Sequence, residues 1–599
     1  MTILQALNQY YGRMEARGDA EPSGYSRENI SACIWLNEAG MIIKVDDLNS
    51  YDKKKPVPRR LEVPKAINRT SGVASNFLWD KTAYTLGVGL DKDKKNTRFC
   101  EKEHAEFKRF HQERLAGTTD VGLKALLAFL DVWKPEMFLS HPDFTPDMRD
   151  KNIIFGLVGG KLEYLHQRPA ARLLIAAPAD IWKTGICLVT GQEGPIERLH
   201  PSIKGVDGAQ TSGAVLISYN ADAFTSYGAE GGANAPTSVQ AAFNYGTALN
   251  RLLDRGGSNR LKVGDTTIAF WADAEGVGEA AARGAEDVFG GLAEPSDDEA
   301  EAHKIRTVLK QVRDGQAVPS LNADLNAQTK FYILGLAPNA ARLSVRYWLT
   351  DTFDKFVDHL AAHYADIDLA PAPWRDTLPP LWLLLLKTTA AQEKSENIPP
   401  QLAGETMRAV LSGRPYPRTL LATSIMRLRA GDSPKTGWHA AIIKACINRM
   451  VVEKEKLPVS LQSDYPDPAY QLGRLFAVME AAQRAALGRV NASITDRYYG
   501  AASTTPARVF GSLLRNARHH ISDARKRGKG GWIDKRLGEI FAQLDPALPK
   551  TLTLEQQGRF AVGYYHEHAF RGEGKDKDAD DIADNEKDAD DIEDKGNKK

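Results

Sequence analysis

Cysteine is scarce in this chain of 599 residues, and long apolar runs are missing. The four cysteines lie far apart without a Cys-x-x-Cys pair, which excludes a disulfide framework and offers no recognisable zinc cluster. We therefore expect a protein of the reducing cytoplasm. The strongest apolar run, residues 381–386, is six residues long, whereas a membrane span needs about 20, so we expect a core helix there. The first residues also lack the basic-then-apolar layout of a signal peptide.

Catalytic and cofactor-binding motifs are also missing. The sequence contains no His-Glu-x-x-His, no Gly-x-Ser-x-Gly, and no His-x-Glu followed by Cys-x-x-Cys. The glycine-rich segment 190–228 matches neither a Walker P-loop nor a dinucleotide fingerprint. We expect a protein that is not an enzyme and that uses no cofactor or metal. Because catalytic residues can meet only in three dimensions, a nuclease remains an alternative.

The net charge of +1 conceals an uneven distribution. Residues 572–599 carry twelve Asp and Glu against six Lys, a net charge of −6, so the rest of the chain carries +7. This tail repeats the sequence Lys-Asp-Ala-Asp-Asp-Ile at residues 577 and 587 and has no apolar periodicity, which predicts disorder. We expect a solubilising tail. The alternative is an acidic decoy that weakens non-specific binding by the basic body.

The patterning along the chain predicts an α+β fold. A helix is expected over residues 1–17, and a hairpin over 30–36 and 41–45. Four further strands are predicted at 153–158, 186–190, 214–218 and 266–271. We predict four segments: a mixed α/β domain with long functional loops at 1–345, a helical middle region at 346–458, an all-helical bundle at 459–571 and the tail.

The clearest physical signal is a basic amphipathic helix near the C-terminus. Thr505 is expected to cap it and Pro506 to occupy its first position. At about 100° per residue the apolar positions share one side and the cations the other. The cationic side and its continuation carry Arg508, Arg515, Arg518, Arg525, Lys526, Arg527 and Lys529. Such a row suits a phosphate backbone, although a solvated helix face is the alternative. Tyr498, Tyr499 and Trp532 offer base stacking or belong to the core.

Two polar, glycine-containing segments lie in the N-terminal half. The first is basic and then rich in hydrogen-bonding side chains, with Arg59, Arg60, Asn68, Arg69, Ser71, Asn76 and Lys81. These residue types suit phosphates or base edges, but Ser/Gly/Asn loops are also common turns. The second segment contains Lys204 and Gln210.

Several stretches, taken together, resemble the large subunit of the type I-C CRISPR surveillance complex (Cascade). They run in order along the chain to about residue 570, and the tail lies outside the pattern. The matching residues are 3–11, 70–80, 187–191, 199–205, 208–213, 223–228, 334–348, 472–476 and 496–506.

The resemblance implies a non-catalytic subunit that recognises the PAM, a short motif in duplex DNA, helps to open the duplex and guides the displaced strand. Its implied partners are crRNA, target double-stranded DNA, the backbone, handle-binding and small subunits, and a helicase-nuclease recruited after target binding. No membrane partner is expected. For PAM contact we select Arg59, Arg60, Asn68, Arg69, Ser71, Asn76, Lys81, Lys204 and Gln210. For the displaced strand we select the seven cations of the basic helix and its continuation. Each N-terminal residue could instead support the fold or contact a neighbouring subunit, and a protein-only scaffold is a further alternative.

Overall fold

A computed structural model gives the fold. It describes residues 1–52, 55–67, 69, 72–91, 93, 96–176, 183–293, 325–374, 378–390, 392, 394, 397–488, 490–527 and 531–572. Packing divides the chain into two compact units. Unit 1 comprises Met1–Gly205, Ala209–Arg251 and Ala340–Leu343, and unit 2 comprises Val206–Gly208, Leu252–Asn339 and the chain from Ser344 onward. Among the described helices, none combines the length and apolarity that crossing a bilayer requires.

Unit 1 is mixed in secondary structure. Its helices are α1 (Ile3–Ala16), α2 (Thr82–Thr85), α3 (Glu101–Arg114), α4 (Val121–Val132), α5 (Pro169–Ala176) and α6 (Val239–Leu252). Its strands are β1 (Tyr25–Ile30), β2 (Ala32–Leu36), β3 (Ile42–Asp47), β4 (Ser50–Asp52), β5 (Lys55–Val57), β6 (Arg59–Pro64), β7 (Trp79–Lys81), β8 (Val88–Leu90), β9 (Thr97–Phe99), β10 (Asn152–Val158), β11 (Leu162–Tyr164), β12 (Thr184–Ile186), β13 (Glu193–Pro195), β14 (Ser202–Ile203) and β15 (Ala214–Val215).

The central sheet of unit 1 is covered on both faces. Its order is β11-β10-β2-β3, with β7 also paired to β10, and the β2–β10 pair is parallel. Successive side chains of a strand point to opposite faces. Accordingly, Ile34 and Phe155 join a core with α3 and α4, while Trp35 and Ile154 join a smaller core under the β1–β6 ribbon. The predicted α+β class is thus confirmed, and the sheet carries the ribbon on one face.

Unit 2 combines a small sheet with many helices. Its strands are β16 (Arg260–Val263), β17 (Thr266–Ala272), β18 (Lys330–Asn339) and β19 (Arg342–Thr352), in the order β19-β18-β17-β16. Its helices are α7 (Glu279–Ala293), α8 (Phe353–Ile367), α9 (Leu381–Lys387), α10 (Pro400–Ser412), α11 (Arg418–Arg429), α12 (Trp438–Asn448), α13 (Pro468–Leu487), α14 (Ile494–Thr504), α15 (Pro506–Lys526), α16 (Gly531–Phe541) and α17 (Leu554–Gly572).

Helices α13 and α17 form the centre of the C-terminal bundle. They approach backbone to backbone, because a Cβ on Gly473 would lie 2.0 Å from the Phe560 carbonyl oxygen, and one on Gly563 would lie 2.1 Å from that of Tyr470. Beside the crossing, the fully buried Arg474 Nε donates to Glu567 Oε2 at 3.0 Å. A buried charge is tolerated only when it is paired, so this ion pair fixes the two helices to one another.

Most of the longer predicted elements are confirmed. The helix at the N-terminus, the hairpin (β2 and β3), the strands at 153–158 and 266–271, and the apolar helix α9 are all present. The strand predicted at 186–190 is wrong, because β12 ends at Ile186 and the Gly191 N–H donates to the Cys187 carbonyl oxygen to close a turn. Of residues 214–218, only Ala214 and Val215 form a strand.

Two long strands, β18 and β19, were not predicted as strands, and β19 continues past residue 346 to Thr352. The four predicted segments remain a prediction, since compact units need not coincide with functional segments. Residues 252–293 and 325–339, which the prediction places in the first segment, pack with the helices of unit 2. The acidic tail after residue 572 lies outside the described residues.

Candidate nucleic-acid interface

The loop between β6 and β7 is organised around one buried carboxylate, that of Asp80. Its Oδ2 accepts a hydrogen bond from the Asn76 N–H at 2.9 Å, and its Oδ1 accepts one from the Lys81 N–H at 2.8 Å. The Arg69 guanidinium forms an ion pair with the same carboxylate. Burial raises the pKa of Asp80, and the positive charge of Arg69 opposes that rise. Arg69 therefore favours the ionised form of this carboxylate.

Arg69 and Asn76 are thereby committed to the shape of this loop. Arg69 Nε donates to the Ala74 carbonyl oxygen at 2.7 Å, and its guanidinium lies 4.0 Å from the centre of the Tyr84 ring. Asn76 is buried, and its Oδ1 accepts from the Ile67 N–H at 3.0 Å. These contacts brace both ends of the loop. The structure gives both residues an architectural role, and their selection for DNA contact stays a prediction. Asn68 and Ser71 lie outside the described residues.

The β1–β6 ribbon presents exposed cations beside this loop. Arg59 and Arg60 are exposed on β6, opposite Ile30 and Asn29 of β1. Because neighbouring residues of a strand face opposite ways, the two arginines offer positive charge on both sides of the ribbon. Lys81, at the end of β7, is exposed as well.

The second polar segment meets the same ribbon. Lys204 Nζ lies 2.9 Å from Glu28 Oε1 on β1, and Glu28 stands opposite Leu61, the neighbour of Arg60. The Lys204 N–H also donates to Asn250 Oδ1 at 2.7 Å. Gln210 is exposed, and its carbonyl oxygen accepts from the Gly213 N–H at 2.9 Å. The fold thus brings Lys204 to the ribbon that carries Arg59 and Arg60, which their separation in sequence does not reveal.

One exposed aromatic residue in unit 1 was missed by sequence reasoning. Tyr227 is fully exposed, at 106% of its reference area, and has a positive φ of 51°. Its turn is held by Asn234, whose Oδ1 accepts from the Ser226 N–H at 2.9 Å and whose Nδ2 donates to the Ala229 carbonyl oxygen at 3.0 Å. A tyrosine in this backbone region is uncommon and needs surrounding support. The sequence feature that could have indicated this exposed ring is Thr-Ser-Tyr-Gly at residues 225–228, which contributed only to the family resemblance.

Helix α15 has the two faces that its periodicity predicts. Its buried residues include Phe510, Leu513, Ala517 and Ile521. The cations selected for displaced-strand contact are all exposed where the structure describes them. They are Arg508, Arg515, Arg518, Arg525, Lys526 and, at the C-terminal end of the helix, Arg527. We call these six residues the cationic stripe. At 1.5 Å per residue it extends for about 28 Å. Lys529 lies outside the described residues.

Only part of the cationic stripe is neutralised by the protein. Arg525 pairs with Asp534 of α16, and Lys526 Nζ lies 3.0 Å from Asp523 Oδ1. Within the part of the chain that the structure describes, the guanidinium groups of Arg508 and Arg518 form no ion pair or hydrogen bond. Exposed cations without partners are free to neutralise phosphates.

The start of α15 and its aromatic neighbours differ in detail from the prediction. Pro506 occupies the first turn as expected, but the Thr505 side chain makes no capping hydrogen bond with α15. Instead its hydroxyl donates to the Ala501 carbonyl oxygen at 3.2 Å. Tyr499 is buried against Phe476 and belongs to the core. Tyr498 and Trp532 are partly exposed, at 39% and 36%.

Arg536 does not extend the cationic stripe. Its Nε lies 3.2 Å from Glu567 Oε1, its Nη1 donates to Glu539 Oε2 at 2.8 Å, and its guanidinium packs 4.5 Å from the centre of the Phe570 ring. These contacts hold α16 against the C-terminal end of α17. The described residues contain no group of three or more His, Cys, Asp or Glu side chains that could hold a metal ion.

Comparison with known proteins identifies the family. No curated protein matches the chain. The family model described as CRISPR-associated protein (Cas_Csd1) matches residues 7–571. The match covers most of both units and ends one residue before the end of α17, which confirms the resemblance drawn from the sequence. The chain therefore belongs to the Cas_Csd1 family of CRISPR-associated proteins and is a large subunit of the Cascade type, which associates with other CRISPR-associated subunits.

Proposed function

We propose that this chain is the non-catalytic large subunit of a type I-C, crRNA-guided surveillance complex. It recognises the PAM in duplex DNA, helps to unwind the target, holds the displaced strand and helps to recruit a helicase-nuclease. In such a complex, protein contacts recognise a short motif, and base pairing with the crRNA recognises the rest of the target.

The cationic stripe is the observation that carries this proposal. Non-specific nucleic-acid binding rests on cations that neutralise phosphates and release counterions. Arg508 and Arg518 provide such cations on a helix whose opposite face is buried in the bundle. Tyr498 supplies an exposed ring in the preceding helix. A surface of this kind suits a single strand held by its backbone, with occasional stacking.

Substitution of the stripe tests displaced-strand binding. In the assembled crRNA complex, R508A/R515A/R518A should weaken target binding at low salt. The slope of log K against log salt should fall by about 0.7 for each single-strand phosphate that the variant no longer neutralises. R283A is the matched control, because Arg283 is an exposed helical arginine paired with Glu279 at 2.9 Å. An unchanged affinity and an unchanged slope in the triple variant would favour the protein-only scaffold.

For PAM recognition, the residues divide into two roles. Arg59, Arg60, Lys81 and Gln210 are exposed and are proposed to touch the duplex, together with Lys204 once its side chain leaves Glu28. Arg69 and Asn76 are proposed to act by holding the loop that carries Asn68 and Ser71. This division follows from the contacts inside the loop: the Arg69 guanidinium pairs with Asp80 and donates to the Ala74 carbonyl oxygen, and the Asn76 amide oxygen accepts from the Ile67 N–H.

Discrimination between targets with and without a PAM tests this division. R59A/R60A should leave the complex assembled and reduce the affinity ratio of the two targets, because one bidentate base contact is worth about 1–3 kcal/mol. R109A is the control, since Arg109 is an exposed arginine held by Glu106 and Glu113. R69A should also lower the ratio, accompanied by greater proteolytic cleavage of the loop. If R59A/R60A distinguishes the two targets as well as the wild type does, the ribbon does not recognise the PAM.

Tyr227 is proposed to stack on a base that becomes unpaired when the duplex opens. An aromatic ring that is fully exposed on a braced turn can stack without first leaving a protein contact. Stacking tolerates any base, because every base has a π-face. This role would complement the cations of the ribbon, which address phosphates and base edges.

A further inference from the structure

The acidic segment after α17 lies outside the family's common chain. The family match ends at residue 571, and residues 573–599 carry twelve Asp and Glu against six Lys. The nearest part of the protein in sequence is the C-terminal bundle, which carries the cationic stripe. The charges of the two are opposite: the tail has a net charge of −6, and the stripe consists of six cations, of which Arg525 and Lys526 are already paired with Asp534 and Asp523.

Helix α17, which precedes the tail, is connected through α16 to one end of the stripe. Arg536 of α16 contacts Glu567 and packs on Phe570 in the last turns of α17. From the same helix α16, Asp534 pairs with Arg525 in the last turn of α15. Helix α16 therefore links the end of α17, where the tail starts, to the C-terminal end of the stripe.

The tail is also long enough to cover the stripe. It has 27 residues, and an unstructured chain of that length, as its composition predicts, has a root-mean-square extension of about 30 Å. The stripe extends for about 28 Å. A short tether gives an effective concentration in the millimolar range, so even a weak electrostatic interaction with the stripe would be populated.

We propose that residues 573–599 dock on the cationic stripe of the same chain and compete with nucleic-acid phosphates for it. The tail lowers the affinity for any polyanion, and a nucleic acid held by further contacts displaces it. The tail covers half of the stripes when its dissociation constant equals its millimolar effective concentration. If the dissociation constant is about tenfold lower than this, the tail lowers the apparent affinity of the stripe for nucleic acid about tenfold. This inference rests on the nucleic-acid role proposed for the stripe.

Neutralising the tail in the full-length chain is the primary test. In this variant the eighteen charged residues of 573–599 become Asn, Gln or Ser, which keeps the length and removes the charge. Binding of a fluorescent single-stranded DNA of mixed sequence is measured by anisotropy between about 50 and 200 mM salt. We expect about tenfold tighter binding at the lowest salt, a steeper salt dependence and convergence with the wild type at the highest salt. A tail with the same charges in scrambled order is the control and should behave as the wild type.

Two further measurements separate the tail from the stripe. In an R508A/R515A/R518A background, neutralising the tail should change affinity much less than in the wild type. Zero-length cross-linking with a carbodiimide should join tail carboxylates to Lys526 or Lys529, and mixing heavy- and light-isotope chains should show that these links lie within one chain.

The outcomes distinguish the two proposals. Unchanged DNA affinity on neutralising the tail, with weaker binding by the stripe variant, would overturn the docking and leave the proposed function of the stripe intact. Unchanged DNA affinity in the stripe variant would overturn the proposed function of the stripe. Cross-links from the tail to Lys526 or Lys529 would then be the test of docking. Links found only to lysines elsewhere, or only between two chains, would overturn docking on the stripe of the same chain.

Discussion

His111 connects the loop before β7 to the helical layer of unit 1. Its Nε2 accepts from the Leu78 N–H at 2.9 Å, and its Nδ1–H donates to the Phe107 carbonyl oxygen at 2.8 Å. Leu78 has a positive φ of 63°, so this hydrogen bond supports an uncommon backbone conformation. Burial lowers the pKa of His111 to about 4. The neutral imidazole is thus the form that the folded protein requires.

Acid should therefore destabilise unit 1 through His111. The unfolded chain binds a proton on this residue near pH 6.5 and the folded chain only near pH 4, so stability is fully present above about 6.5 and falls as the pH drops towards 4. Within that window one such group changes the free energy of unfolding by about 1.4 kcal/mol per pH unit. H111Q should remove this part of the slope in urea unfolding curves measured from pH 4 to 7. H519Q, which changes an exposed histidine, is the control, and an equal slope in H111Q and wild type would contradict the assignment.

Residue types were predictable at the β6–β7 loop, but their roles were not. The sequence indicates that Arg69 and Asn76 are polar residues in a glycine-containing segment, and both DNA contact and fold support were consistent with that. In the observed conformation both residues support the fold, because the buried Asp80 carboxylate accepts a hydrogen bond from the Asn76 N–H and forms an ion pair with Arg69. Asp80 stands only four residues after Asn76, but its burial results from pairing of β7 with β10, about 70 positions later. A single sequence does not reveal that pairing.

Helix α15 shows how well periodicity works for a long element. Phe510, Leu513, Ala517 and Ile521 are buried on the apolar side that the periodicity predicts, whereas Val509 and Leu514, at the margins of that side, are only half-buried. The pattern repeats over six turns, so it averages out local exceptions. The two-residue strands β14 and β15 have no such repetition. Their conformation depends on partners in distant loops, and this explains why only the first two residues of the strand predicted at 214–218 are correct.

The Tyr227 turn is an element whose prediction can be tested directly. Y227A should weaken binding of the crRNA complex to a PAM-containing target by the value of one stacked base, about 1–3 kcal/mol, while Y227F should retain binding because the ring remains. A 2-aminopurine placed next to the PAM should be quenched by the wild type and by Y227F but not by Y227A. L173A, which removes another exposed apolar side chain of unit 1, serves as the control. Equal quenching in Y227A and wild type would exclude stacking at that position.

At the scale of the whole molecule, the α+β class and the helical C-terminal region followed from the sequence. The sequence did not reveal that residues 252–293 and 325–339 pack with the helices of unit 2. The hydrophobic core of unit 2 runs without interruption from Leu261 on β16 to Tyr565 on α17. Burial of apolar area is not directional, so a strand pair can close a helical core as readily as another helix can. The change of pattern near residue 346 therefore accompanies a change in secondary structure, while the hydrophobic core continues across it.

The crossing of α13 and α17 has a consequence for the order in which the protein is made. Helix α17 is the last described helix of the chain, but it lies against the first half of α13, where Gly473 meets the Phe560 carbonyl. Ribosomes add about 5–20 residues per second, so the synthesis of α17 is complete about 5–20 s after α13 begins to be made. During that interval the apolar surface around Tyr470 and Phe476 has no α17 to cover it. We expect nascent chains to need a chaperone at this stage, and premature termination before residue 554 to yield an insoluble product.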